Sequence, residues 1–292
     1  MTAERKNRWI KLATAACALV IGFGAAGLTA EAAPVIAPYA TSLNSGNFDY
    51  ERYAAENPDV VAALGTSESA LFSHYNNNGV IEGRKAYLDV TSMLTVDMFD
   101  ATYYAQMNPD VVAALGTDAN ALFAHYINNG FAEGREAAFT SRSAQALVKA
   151  TKIAAQITTP EMTDVEKMQA VHDWIICNCY YDIEDIYGDE SNHYVGMLLN
   201  GSARCEGYTE AFDVFMRILG IEDWAVCGFA NGGFHAWNQV RVDGGYLNVD
   251  STWDDPLPDR PGIVFRYDYF LISDADMSDH QKVTHMNVAW FE

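Results

Sequence analysis

The chain has 292 residues, of which 50% are hydrophobic and 12% aromatic, so it is long enough for two domains and lacks the composition of a disordered protein. Its 18 Lys and Arg residues are outnumbered by 39 Asp and Glu residues, which gives a formal net charge of −21. A surface this acidic repels nucleic acid and anionic lipid, and we exclude both as partners.

The first 32 residues have the pattern of a secretory signal peptide. Four basic residues precede or begin the apolar segment Leu12–Leu28, and Ala30–Ala32 supplies the small residues of a cleavage site. The alternative is a retained membrane anchor, but an apolar segment of 17 residues that is rich in Ala and Gly is short for a span. We therefore expect a secreted or cell-surface protein, with no membrane span after signal removal and a linker over residues 33–47.

Residues 48–87 and 97–137 form a tandem duplication. The segments Phe48–Ala86 and Phe99–Ala137 share 26 of 39 aligned residues, and both have apolar residues at helical spacing. We predict two small all-α repeats, in which His74 and His125 pack and form hydrogen bonds rather than bind metal. Their common pattern, NPDV through HY to EGR, resembles tandem repeats of bacterial secreted and surface proteins, which implies docking to a surface component.

The rest of the chain has the pattern of a mixed domain of helices and strands. Thr163 and Glu166 form a capping box at the start of an amphipathic helix. A second helical pattern begins at Cys205 and ends at Gly220. Three strands, joined by Asn-Gly-Gly and Asp-Gly-Gly turns that are typical of hairpins, are predicted at residues 224–230, 234–242 and 246–250.

Three residues of this domain have the chemistry of acyl transfer. Cys205 lies at the predicted N-terminus of a helix, where backbone N–H groups and the helix dipole favour a thiolate and can receive an oxyanion. His235 begins one predicted strand and Asp250 ends its hairpin partner, so antiparallel pairing brings them side by side. If the sheet packs on the Cys205 helix, the three form a nucleophile, a base and an orienting group.

The remaining cysteines leave alternatives open. Four cysteines follow the signal peptide, and three disulfide pairings are possible. Cys177 and Cys179 are two residues apart on a predicted helix, where side chains face different directions. A Cys205–Cys227 disulfide would make Cys205 structural; without it, Cys227 is a small buried residue. No Cys and His spacing is typical of a zinc site, and we predict neither a metal nor a cofactor.

Three segments resemble the transglutaminase-like superfamily. They are GSARCEGYTEAF, GGFHAWNQVRVDGGYLNVDSTWDDP and YDYFLISDADMSDH. The family pattern, G-x-x-x-C-x-G-[YF] followed by H-A-W-N-x-V and V-D-x-T-W-x-D, recurs in the same order. The resemblance covers residues 145–292, including the pair Tyr181-Asp182. It implies an α+β catalytic domain of the papain/transglutaminase-like type, in which a nucleophile helix packs on an antiparallel sheet, preceded here by the all-α repeats.

The same resemblance implies roles for individual residues. Cys205 corresponds to the nucleophile, His235 to the base and Asp250 to the third member of a catalytic triad. Glu206 and Ser251 depart from the family, which often has Gln and Pro at these positions. Four further residues are candidates for substrate binding or for the oxyanion site. Glu206 places a negative charge beside the thiol, and Tyr194 donates to an oxyanion or packs in the core. Trp237 shares a strand face with His235, and Trp253 shapes the loop after Asp250.

The implied reaction is attack of Cys205 on a protein or peptide amide, which gives a thioester. Resolution by water defines a peptidase or amidase that acts on protein or cell-wall peptide; resolution by an amine defines a cross-linking enzyme. We favour water, because no segment resembles the calcium-binding run of animal cross-linking enzymes. The other hypotheses are an N-glycanase with the same triad, a papain-like peptidase, which would have Asn as third residue, and a non-catalytic surface-binding module.

Overall fold

The computed structural model describes residues 43–255 and 266–286, and the predicted signal peptide and most of the predicted linker lie outside these ranges. The described chain forms a helical region followed by a domain of helices packed on an antiparallel sheet, so the predicted α+β class is confirmed. None of the helices within the described ranges combines the length and apolar character that a membrane span needs.

Each repeat contains three short helices followed by a π-helical turn. Gly79 and Gly130 lie in these turns, where an added Cβ would collide with the hydroxyl groups of Tyr53 and Tyr104. The first repeat comprises α1 (Tyr50–Glu56), α2 (Pro58–Leu64), α3 (Glu68–His74), the π turn Tyr75–Gly79 and the short α4 (Val80–Glu82). The second comprises α5 (Ala101–Met107), α6 (Pro109–Leu115), α7 (Ala119–His125) and the π turn Tyr126–Gly130, after two 3₁₀ turns at Thr91–Met93 and Val96–Met98.

An arginine clamp explains the polar part of the repeat pattern. The Arg84 guanidinium donates to Asp59 at 2.6 Å, to Asn57 at 2.8 Å and to Glu82 at 2.5 Å, so it ties the NPD segment to the EGR segment. A hydrogen bond of 2.9 Å joins His74 Nδ1 to the Tyr53 hydroxyl. In the second repeat the same contacts join Arg135 to Asp110, Asn108 and Glu133, and His125 to Tyr104.

Three longer helices form the helical layer that packs on the sheet. The predicted capping box is present at the start of the second, where Thr163 and Glu166 each bond the other's backbone N–H. The third ends at Gly220, whose φ of 69° suits a residue without a side chain. The helices are α8 (Arg142–Ile157), α9 (Asp164–Asn178) and α10 (Cys205–Leu219); the short strands β1 (Tyr180–Tyr181) and β2 (Ser202–Ala203) and the turns Gly188–Asn192 and Gly196–Asn200 lie between α9 and α10.

The antiparallel sheet has the strand order β6-β5-β4-β3-β7, and α10 packs against β3 and β4. The two predicted hairpins are present: Ala230 pairs with Gly233, and Val242 pairs with Gly245. The strand at residues 280–285 adds to β3, so β4 and β3 lie between it and β5. The strands are β3 (Asp223–Ala230), β4 (Gly233–Val242), β5 (Gly245–Val249), β6 (Phe270–Ile272) and β7 (His280–His285), and a helical turn α11 (Ser251–Asp254) follows β5.

The first repeat contacts α10 at the end of that helix that is remote from Cys205. Tyr87 packs on Gly220, and the Leu88 N–H donates to the Arg217 carbonyl at 3.0 Å. Arg241, near the end of β4, donates to backbone carbonyls of the first repeat. Because α10 has 15 residues, these contacts lie about 22 Å along the helix from Cys205. The repeat therefore leaves the Cys205 end of the helix uncovered.

Candidate active site

Cys205 is the first residue of α10, and the chain before it is held in place by strand pairing. Tyr181 in β1 pairs with Ala203 in β2, two residues before Cys205. Gly207 lets the first helical turn approach the preceding loop, since an added Cβ would lie 2.6 Å from the Ser191 carbonyl oxygen. Arg204, at the N-cap, makes no side-chain capping bond. The first-turn N–H groups near Cys205 are therefore not consumed by the cap side chain.

His235 connects Cys205 to Asp250. Its Nε2 lies 2.7 Å from Asp250 Oδ2, and its ring interacts with the Cys205 side chain on the other side. Because Nε2 faces the carboxylate, Nδ1 is the nitrogen that remains for the thiol. Both His235 and Asp250 are buried, at 6% and 1% exposure. The structure thus brings the three predicted triad residues together in the order thiol, imidazole and carboxylate.

The electrostatics favour a charged imidazole in this arrangement. Burial alone would lower the pKa of His235, but hydrogen bonds to Asp250 and Cys205 raise it to about 9. Burial would raise the pKa of Asp250, yet hydrogen bonds from His235 and His280 hold it below its usual value. Asp250 Oδ1 also accepts from the N–H groups of Thr252 and Trp253, at 3.0 Å and 3.1 Å. Asp250 is therefore an ionised acceptor that fixes the orientation of His235.

Tyr181 contacts Cys205 directly, a role that the sequence analysis did not assign. Its hydroxyl lies beside the backbone N–H and the side chain of Cys205, and its pKa is raised by burial and then by the charge of Cys205. The neighbouring Asp182 is 2% exposed and accepts from the Ile186 N–H at 3.0 Å and from Ser191. The Tyr181-Asp182 pair thus combines a contact to the nucleophile with an anchor for the preceding loop.

Two of the four neighbouring candidates contact the triad. Trp237 is stacked on the His235 ring with centroids 6.1 Å apart, and its indole donates to Asn248 at 3.1 Å. Trp253 lies 5.5 Å from the His235 ring. Both aromatic rings therefore lie next to the imidazole of His235.

The other two candidates lie differently. Tyr194 is 2% exposed, forms a side-chain hydrogen bond with Ser143, and its N–H donates to Glu210 at 3.1 Å. The structure therefore brings Tyr181, rather than Tyr194, to Cys205. Glu206 is half-buried in the first turn of α10. The pKa of Cys227 is raised mainly by burial and then by the charge of Glu206. The four cysteines of the described ranges are free thiols.

A cleft gives access to the triad. Its volume is about 420 Å³, and it combines aromatic walls with one acidic and one basic side chain. Arg266 also pairs with Asp268 at 3.0 Å, and Asp255 accepts from the Tyr208 hydroxyl. The cleft is lined by Tyr181, His235, Thr252, Trp253, Asp255 and Arg266.

His235, Asp250 and His280 have the side-chain types of a metal site, with ligand atoms within 4.8 Å of one another. Two ligands at about 2.1 Å on a tetrahedral zinc ion lie roughly 3.3 Å apart. The 2.7 Å between His235 Nε2 and Asp250 Oδ2 is shorter than that and is the length of a charge-assisted hydrogen bond. The geometry fits hydrogen bonding and not a shared metal ion.

The comparisons with known proteins agree with this geometry. Residues 151–251, which include Cys205, His235 and Asp250, match the model of the transglutaminase-like superfamily, so the chain contains a domain of this superfamily. The chain is similar to the kyphoscoliosis peptidase of Mus musculus, with 28% identity over 121 residues, and to that of Homo sapiens, with 29%. Each match covers 37% of this chain and only 18% of the relative's length.

Two solved structures are similar in part. A proposed cysteine protease from Cytophaga hutchinsonii has a TM-score of 0.37 and 18% identity, over 51% of this chain and 45% of that chain. A structure described as a TGase has a TM-score of 0.34 and 17% identity, over 41% of this chain and 34% of that chain.

Proposed function

We propose that this protein is a cysteine hydrolase of the transglutaminase-like type, which cleaves a protein or peptide amide through Cys205, His235 and Asp250. The observation that carries the proposal is the position of His235, which bonds the Asp250 carboxylate and interacts with the Cys205 side chain beside an open cleft. A nucleophile, a base and an orienting group in one hydrogen-bonded row are the requirements of acyl transfer.

Each proton in the proposed reaction has an acceptor in the site. His235 Nδ1 takes the thiol proton, and Cys205 Sγ attacks the amide carbon. The Cys205 N–H, which faces the Tyr181 hydroxyl, receives the oxyanion, and the Tyr181 hydroxyl donates its proton to the same oxygen. The imidazolium then protonates the leaving nitrogen, the C–N bond breaks and a thioester remains. Water, deprotonated by His235, attacks the thioester and releases the acid and the thiol.

The experiment that identifies the acyl acceptor lets water and a primary amine compete for the thioester in one reaction. Denatured casein is incubated with the protein and a fluorescent primary amine, while amine incorporation, ammonia release and new N-termini are followed. Hydrolysis predicts new N-termini or ammonia with little incorporated amine, and none of these products with Cys205→Ala. Amine incorporation that dominates over hydrolysis would instead support the cross-linking enzyme, and identical traces for both proteins would support the non-catalytic module.

We also propose that the protein acts outside the cytoplasm and that its repeats dock to a surface component. The signal-like pattern over residues 1–32 supports export. The contact of the first repeat with the Arg241 end of β4, about 20 Å from His235, supports a docking role that leaves the cleft accessible to a protein or peptide substrate.

The pH dependence of kcat/KM should have an alkaline limb near pH 9. His235 must carry a proton to protonate the leaving nitrogen, and its pKa is about 9, so activity falls as the pH rises through that value. Since the folded pKa exceeds the usual 6.5, His235 also contributes stability below pH 6.5 that is lost as the pH rises through about 9. A plateau of kcat/KM that continues beyond pH 10 would contradict this assignment.

Tyr181→Phe should lower kcat by about 10²-fold with a small change in KM, because one oxyanion donor is lost. Alkylation of Cys205 should persist in this variant, since the imidazole still bonds the thiol. Tyr180→Phe is the matched control on the same strand, because the side chain of Tyr180 interacts with Tyr187 instead of Cys205. Equal kcat values for the two variants would remove Tyr181 from the mechanism.

A further inference from the structure

A second histidine bonds the triad carboxylate. His280 Nε2 lies 3.1 Å from Asp250 Oδ2, the same oxygen that accepts from His235 at 2.7 Å. The His280 side chain is 1% exposed, and its ring centroid lies 5.3 Å from that of His235. It belongs to β7, which reaches the site by pairing with β3, where His280 faces Ala230. Two imidazoles from separate strands therefore share one buried oxygen.

The other nitrogen of His280 is also held. Nδ1 lies 2.8 Å from Asp279 Oδ1, and Asp279 Oδ2 accepts from the Tyr269 hydroxyl at 2.6 Å. The ring is enclosed by the edges and faces of Trp253, Trp237 and Tyr269, at centroid distances of 4.5 Å, 5.1 Å and 5.5 Å. His280 thus has neither free rotation nor an alternative partner for Nε2 within this enclosure.

This arrangement sets the number of protons on His280. A neutral imidazole has one N–H donor and one acceptor nitrogen, whereas an imidazolium has two donors. Both His280 nitrogens face carboxylate oxygens, which are acceptors when ionised. A neutral ring would place two lone pairs against each other at one of these contacts. Both contacts are therefore complete as hydrogen bonds only when each ring nitrogen carries a proton.

We propose that His280 is a positioning residue for the reaction, which holds the Asp250 carboxylate through Nε2 and reduces the negative charge that Asp250 presents to His235. The proposal rests on the proposed function, because it concerns the triad. Asp250 would otherwise direct its full charge to His235 and hold the imidazolium too tightly to release its proton to the leaving group. With His280 sharing Oδ2, Asp250 orients His235 while its charge is partly balanced.

The expected effect on the triad has a definite sign. Removing a positive charge about 5 Å from His235 makes protonation of the Cys205–His235 pair more favourable, so the pH profile shifts upwards. Without the charge of His280, the carboxylates of Asp250 and Asp279 also shift the pH profile upwards. The charged or titratable groups that face this cluster are Cys205 from α10, Tyr181 from β1, Asp254 from α11, Tyr269 from the segment before β6, and Asp279 before β7.

The experiment is the pH dependence of iodoacetamide alkylation at Cys205, followed by mass spectrometry in the full chain and in His280→Gln. Gln can donate to Asp250 but carries no charge. We expect the midpoint of the profile to rise by about one pH unit and the rate below the midpoint to fall about tenfold. The matched control is His172→Gln: His172 is also fully buried between two carboxylates, Asp254 at 3.1 Å and Asp173 at 3.3 Å, but it does not contact the triad.

The outcomes of this experiment separate the role of His280 from the proposed function. Unchanged midpoints in both variants, with rapid alkylation of the parent protein at low pH, overturn the role of His280 and leave the triad intact. A parent protein whose Cys205 titrates as an ordinary thiol overturns the proposed function itself. If His280→Gln does not fold, ¹⁵N NMR of the parent protein at pH 7 decides: two protonated nitrogens on the His280 ring support the proposal, and a single one overturns it.

Discussion

Replacing His235 by alanine is expected to slow the alkylation of Cys205 at pH 6 by about 10²-fold, because an isolated thiol with a pKa of about 8.5 is almost entirely protonated there. In the parent protein the imidazole takes the thiol proton, and Asp250 stabilises the resulting charge at 2.7 Å. Amide cleavage should fall by about 10³-fold or more, since the base and the acid of the reaction are the same side chain.

The molecule contains its own control for this measurement. Burial raises the pKa of Cys177 to about 12, so its alkylation should be slow in both proteins and should not respond to His235→Ala. Alkylation and peptide mapping in one sample therefore separate a local change at Cys205 from general unfolding. Rapid alkylation of Cys205 at pH 6 in the variant would show that the helix N-terminus alone activates the thiol.

Asp250→Asn is expected to lower kcat by about 10³- to 10⁴-fold. Four N–H donors, from His235, His280, Thr252 and Trp253, converge on the two carboxylate oxygens. An amide has one oxygen, and its NH₂ group would face two donors. Either the histidines or the backbone donors lose their acceptor, which costs about 1–3 kcal/mol for each buried group left unpaired. The variant should therefore lose both activity and thermal stability.

Asp268→Asn is the appropriate control for this charge change. Its side chain is 67% exposed and pairs only on the surface with Arg266, so the expected effect on melting temperature is small. Both variants are compared by thermal unfolding and by kcat at pH 7. An Asp250→Asn protein with the parent's kcat would show that the carboxylate charge is not used in the reaction.

Several parts of this protein are predictable because short-range rules control them. The helix from Cys205 to Leu219 follows from apolar spacing and the glycine stop, and the hairpin that carries His235 follows from its Asp-Gly-Gly turn. The capping box at Thr163 was predicted for the same reason. The hairpin also brings His235 near Asp250, because Asn238 pairs with Val249 at its open end and the two side chains then bond at 2.7 Å.

Other contacts depend on pairing between distant segments. Tyr181 reaches Cys205 because β1 pairs in parallel with β2 across more than 20 residues. Both Tyr181 and His280 stand in segments that resemble the superfamily, but no local pattern gives them a partner. Tyr194 lies nearer in sequence to Cys205, yet its contacts are with Ser143 and Glu210. Proximity in sequence was therefore a poor guide to the neighbours of the nucleophile.

By itself, the sequence determined the duplication, the helices that begin after Thr163 and at Cys205, the two hairpins, and the three residues with the chemistry of a triad, because periodicity and turn geometry act within a few residues. Only the tertiary structure decided that Tyr181 and His280 join them, and that the first repeat contacts the end of α10 opposite Cys205. These features follow from strand order and helix packing, which sum many weak contacts between distant parts of the chain.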